Sequence, residues 1–178
     1  MRSRIYLAAV TAALLPSLAT AQGVVADAFR NVARDEGKNL TAAAEVMPAD
    51  KYSYRPTPKQ MSFGEIIVHL AQGNDFLCGS IGGTKAPDRP KVTPTASKEA
   101  LVARLKETFQ FCDQALANLD DSKLGEQLPM FGKTMSRAAV EMVTVGDWAD
   151  HYSQIANYMR LNGMLPPSAL PRPGRGGN

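Results

Sequence analysis

SFGEIIVHLAQGNDFLCGSIGG, Ser62–Gly83, is the stretch whose reading decides the fold. Ser62 followed three residues later by Glu65 is a capping box. The serine oxygen accepts from an N–H of the first helical turn, and the glutamate reaches back to the serine N–H. Met61 and Ile66 occupy the hydrophobic-staple positions around it. Ile67, Leu70, Ala71, Leu77, Cys78 and Ile81 then recur at helical spacing, and Gly82-Gly83 supplies the stop. The segment reads as an amphipathic helix with His69 at its middle.

Working outward gives three more helices. The first runs from about Val24 to Met47, with Val25, Phe29, Val32, Ala33, Leu40, Ala43 and Ala44 as its apolar stripe and Gly37 as a weak point. Residues 48–61 hold three prolines and two tyrosines and form an ordered connection. Residues 83–96 are a polar, proline-rich loop. A third helix follows from Ser97 as cap to about Leu119, with Leu101, Leu105, Phe109, Cys112, Leu116 and Leu119 in register. Residues 120–136 are a crossover loop or a short hairpin-like excursion. The fourth helix starts near Thr134 or Ser136 and runs to about Asn162, where Gly163 and Pro166-Pro167 forbid continuation. Strand signal is almost absent. The expected fold is all-α, an antiparallel four-helix bundle. The longer connections on either side of the third helix leave room for a crossover.

The ends read differently. Arg2 and Arg4 precede an uncharged run from Ile5 to Leu18, and Ala19-Thr20-Ala21 is a small-x-small cleavage site. Residues 1–21 are therefore expected to be a secretory signal peptide, with no membrane anchor after cleavage. Residues 22–170 form the bundle domain, and 171–178 (PRPGRGGN) a disordered tail. Removing Arg2 and Arg4 from 20 basic residues leaves 18 against 17 acidic ones, a net charge near +1. No basic cluster interleaved with aromatics occurs, which excludes nucleic acid as a partner. In an exported chain the two cysteines, Cys78 and Cys112, favour a disulfide over a pair of buried apolar thiols.

The chain has two histidines, His69 and His151. Asp147 lies four residues before His151, so the two share a helix face. Two imidazoles and a carboxylate from facing helices make a candidate metal site with open coordination, suited to Zn, Ni, Mn or Fe. The bland alternative is a hydrogen-bonded pair, Asp147 with His151, in a core that holds no metal. Asp150 points about 100° away around the helix and reads as solvated. Trp148 walls the pocket or fills the core. Tyr52, Tyr54 and Arg55 read as packing residues, and Arg160 as a cation favourable to the helix dipole. Homodimerisation through an exposed apolar helix face is a third possibility.

The blocks PxxKYxxRPTP (48–58), SFGE with His69, and DHYxQ…YxRxNGxxPPS (150–168) together resemble the DinB-like superfamily of bacterial four-helix proteins. That resemblance implies a metal triad of one histidine on the second helix and two on the fourth, four residues apart. His69 and His151 match the outer positions, while Asp147 stands where a histidine is common. The exported subgroup with a cysteine in each of the second and third helices is especially similar, which implies pairing of Cys78 with Cys112. Some members are thiol-dependent transferases. An oxidising compartment argues against that activity here, and a metal-assisted hydrolysis survives export better. The resemblance thus implies a divalent-metal protein acting on a small molecule, or else a non-catalytic binding or stress-related module with a degenerate site.

Overall fold

The computed structural model describes residues 23–171. The expected leader and nearly all of the expected tail lie outside them. Four helices dominate: α1 (Val24–Val46), α2 (Phe63–Gly82), α3 (Lys98–Leu116) and α4 (Arg137–Leu161). Between α3 and α4 stands one antiparallel hairpin, β1 (Gln127–Met130) and β2 (Lys133–Ser136). No helix among the described residues is long and apolar enough to cross a membrane.

The caps are those the sequence announces. Ser62 N–H donates to the Glu65 carboxylate and Glu65 N–H donates to Ser62 Oγ, completing the box. Ser97 and Ser136 cap α3 and α4 in the same way, through the N–H groups of Ala100 and Ala139. At the end of α2, Gly83 adopts φ +64, and Thr84 N–H returns to the Gly79 carbonyl. This is a Schellman-type stop. α3 ends at Leu116, three residues earlier than its apolar pattern predicts.

The helices form a bundle in which α1 and α2 each pack against both α3 and α4. α1 therefore lies diagonally opposite α2, and α3 opposite α4. The directions follow from the contacts. Arg30 reaches the Leu116 carbonyl while Lys106 pairs with Glu45, so α1 and α3 are antiparallel. His69 faces His151 and Tyr158 OH donates to the Met61 carbonyl, so α2 and α4 are antiparallel too. Asn74 bonds Thr108 and Cys78 is joined to Cys112, so α2 and α3 run parallel. The crossover for which the long connections leave room is thus the segment 84–96, which must return along the length of the bundle.

That return is tightly seated. A Cβ on Gly64 would lie 2.6 Å from the Pro94 carbonyl oxygen, so only glycine lets the loop close over the start of α2. A Cβ on Gly82 would collide with the Ala115 backbone, so α2 and α3 touch main chain to main chain at their C-terminal ends. The Cys78–Cys112 disulfide lies in the same contact, with Cα atoms 5.1 Å apart and both residues buried.

The core holds Leu40, Ile66, Ile67, Leu70, Leu101, Leu105 and Trp148, all fully buried. Trp148 fills the core and does not wall the pocket. It stacks on Phe29 at 5.9 Å between ring centroids and lies 6.0 Å from Phe109. Its indole N–H donates to Asn74 Oδ1 at 2.8 Å, and Asn74 Nδ2 donates to Thr108 Oγ1 at 3.2 Å. One buried asparagine therefore ties α2, α3 and α4 together. In α1, Ala26 takes the buried place expected of Val25, which is exposed. Gly37 is the seat of Phe109, whose ring would lie 3.0 Å from an added Cβ. The tyrosine loop packs as expected: Tyr52 OH donates to the Ala44 carbonyl at 2.6 Å, and Tyr54 meets Tyr158 edge-on. Burial pushes the Tyr52 phenol well up from its ordinary pKa.

Candidate metal centre

The antiparallel pair α2 and α4 builds the site. His69 lies two turns into α2, after the capping box has fixed the helix start. Asp147 and His151 sit one turn apart on α4, on the face turned to α2. The structure brings all three together. His69 Nε2 is 3.6 Å from Asp147 Oδ1, and His151 Nε2 is 3.4 Å from the same oxygen. The imidazole centroids are 4.6 Å apart with their planes inclined at 69°.

The three side chains are graded in exposure. His69 is about half exposed, Asp147 about a quarter, and His151 buried, with side-chain exposures of 48%, 24% and 8%. The cluster is anchored in the core on one side and open to solvent on the other. Burial pushes the Asp147 carboxyl up, but the imidazoles of His151 and His69 more than offset this and hold it below its ordinary value. Asp147 is therefore a carboxylate at neutral pH.

The donor spacing fits one shared ion. Both histidine–aspartate separations exceed good hydrogen-bond length. Each residue offers one donor atom, and these three atoms all lie within 4.8 Å of one another. A point equidistant from all three lies no more than about 2.4 Å from each, against about 2.0–2.2 Å for zinc with nitrogen and oxygen ligands. Of the three side chains His69 is the most exposed. Among the described residues the buried His151 Nδ1 has no hydrogen-bond partner, and Nε2 of the same ring lies in the gap shared with Asp147.

The profile of the DinB superfamily matches residues 33–155, more than half of the chain. The chain belongs to the DinB superfamily. Solved structures agree on the fold of this DinB-superfamily protein. A DinB-like protein of Bacillus cereus is 18% identical, with a TM-score of 0.68 over 81% of this chain and 97% of that one. A DinB-like protein of Bacillus subtilis is 20% identical, with a TM-score of 0.65 over 82% of this chain and 96% of that one. Among proteins of curated function, none matches.

The remaining residues singled out in the sequence lie away from the cluster or serve the scaffold. Asp150 is exposed and accepts from Gln154 Nε2. Arg55 pairs with Glu65 at 3.0 Å. Arg160 is exposed in the last turn of α4. Three neighbours of the site escape a reading by residue type. Gly73, one turn after His69, faces Asp147. Phe76, one turn further on, is half exposed and meets Phe131 at the hairpin tip, with ring centroids 5.7 Å apart. The i, i+4, i+7 spacing from His69 is the signal that finds Gly73 and Phe76. For Phe131 the signal is a two-residue gap, Phe131-Gly132, between two short alternating runs.

Proposed function

We propose that this is an exported divalent-metal protein whose ligands are His69, Asp147 and His151 and whose open coordination positions take a small molecule. The observation that carries the reading is the spacing of the donors. They stand at the long limit of hydrogen bonding to one another and are close enough to share one ion. The competing picture, a structural hydrogen-bonded pair of Asp147 and His151, has only a long 3.4 Å contact to rest on. It also leaves His69 without a reason to face inward.

Two imidazoles and one carboxylate suit Zn, Ni, Mn or Fe. One carboxylate against a divalent ion leaves a net positive charge at the site. Such an ion, when bound, lowers the pKa of a coordinated water or thiol. The chain's own contribution is positional. α4 fixes Asp147 and His151 one turn apart, Trp148 locks that turn into the core, and Asp147 stays ionised. Export is supported by the charged, apolar and small-residue order of residues 1–21 and by the Cys78–Cys112 disulfide, which suits an oxidising compartment.

The test is metal content of the protein purified from its export route. The wild type is expected to carry about one equivalent, Asp147→Ala none, and Asp147→His to regain it with altered metal preference. No metal in the wild type, even after zinc and nickel are supplied, would sink the proposal.

A further inference from the structure

The hairpin that precedes α4 carries an anomaly. Phe131 and Gly132 form its two-residue turn, at φ +52 and +74. A turn with both central residues at positive φ favours asparagine, aspartate or glycine at its first position. An aromatic residue is strained there. Burial does not account for it: Phe131 is 62% exposed, while the core contact of the hairpin is made by Met130. What the strained position does achieve is to hold the Phe131 ring against Phe76, itself half exposed.

Phe76 shares a face of α2 with His69, seven residues and about 10 Å of helix rise away. Gly73 lies between them. Among the described residues beyond its own helix turn, an added Cβ there would meet only Asp147 Oδ2 within 4 Å, at 3.6 Å. Gly73 therefore presents no side chain on the α2 face between His69 and Phe76.

We infer that Phe76 and Phe131 form an aromatic shelf for the apolar end of a small molecule whose donor group binds at His69, Asp147 and His151. The inference rests on the metal reading of that cluster. The ligand class is a molecule with an anionic donor head, such as a thiolate, hydroxamate or carboxylate. Its aryl or branched alkyl group lies about 10 Å away. Two exposed rings and a glycine on that face select for shape and apolar area and not for hydrogen bonding, so polar extensions of that length are discriminated against.

The experiment compares two hydroxamates on the zinc-loaded protein by calorimetry. Acetohydroxamate carries the head alone; 4-phenylbutyrohydroxamate adds a ring on a flexible linker. The wild type is expected to prefer the aryl compound by about tenfold. Phe131→Gly and Phe76→Ala should each cut that preference to about twofold, with zinc stoichiometry and acetohydroxamate affinity unchanged. Phe131→Gly relieves the positive φ, so it tests the ring without endangering the fold. An undiminished preference in both variants would overturn the shelf. Zinc content is read separately, and its absence sinks the metal reading alone. In that event 4-phenylbutyrate is titrated against the metal-free protein by NMR. Shifts at Phe76 and Phe131 that vanish in Phe131→Gly keep the shelf, and shifts elsewhere or none remove it. A wild-type dimer in sedimentation that Phe131→Gly dissociates would also overturn the inference, by assigning the rings to a second copy.

Discussion

Reducing the Cys78–Cys112 bond is the perturbation whose magnitude follows most directly from the structure. The bond spans 34 residues, and the segment it closes contains the return loop that parallel α2 and α3 require. Cross-linking removes conformations from the unfolded chain. For a loop of this length the chain-entropy relation gives about 3.8 kcal/mol at 25 °C. Both sulfurs are buried between the helices, so the reduced thiols remain packed as small apolar groups and the measured loss isolates the cross-link. In a domain of this size each kcal/mol is worth about 2–4 °C, so the reduced protein should melt about 10 °C lower. The assay is far-UV circular dichroism on heating, with protein unfolded in reductant, refolded in it, and compared with the oxidised form. Burial adds a kinetic expectation: reductant applied to the native protein should act only as fast as the α2–α3 contact opens. Midpoints within about 2 °C of each other would refute the reasoning, because the loop entropy would then be restrained by something other than the bond.

Three further outcomes follow from the core. Asn74→Ala removes partners from both Trp148 Nε1 and Thr108 Oγ1 and should cost about 2–3 kcal/mol in urea unfolding; a loss below about 0.5 kcal/mol would show that the hub is not structural. Gly82→Ala drives a methyl into the Ala115 backbone and should destabilise by about 1–3 kcal/mol, although alanine is the better helix former, and an unchanged or raised midpoint would contradict the close contact. Glu141 is buried, and among the described residues neither carboxylate oxygen has a hydrogen-bond partner. Burial pushes its carboxyl up, against the pull of Arg137. The folded state therefore holds that proton more tightly than the unfolded chain does. The resulting contribution to stability is present in acid and is lost as pH rises through the raised value. Glu141→Gln should flatten that segment of the stability–pH curve, and an identical curve in wild type and variant would refute the assignment.

The number, order and approximate limits of the helices were legible because each depends on local chemistry. The Ser62–Glu65 box, the Ser97 and Ser136 caps and the Gly83 stop act within one turn of their own residues. The candidate ligands were legible for a related reason. Histidine is scarce in this chain, and the i, i+4 relation of Asp147 to His151 is a property of one helix. That His69 reaches them is a property of two. It depends on α2 and α4 running antiparallel in a single register, which no periodicity encodes.

Other features belong to the tertiary structure alone because they join residues far apart in the chain. α1 has no side-chain cap of its own; Asp121, nearly a hundred residues away, accepts from the N–H groups of Val25 and Ala26. Gly37 reads as a flaw in a helix until Phe109 is laid against it. The parallel course of α2 and α3 follows from main-chain contact at Gly82 and a buried disulfide, neither of which an apolar stripe can specify. Hydrophobic spacing tells each helix which face to bury. Which partner it buries that face against, and in which direction, is fixed by long-range contacts that form only when the bundle closes.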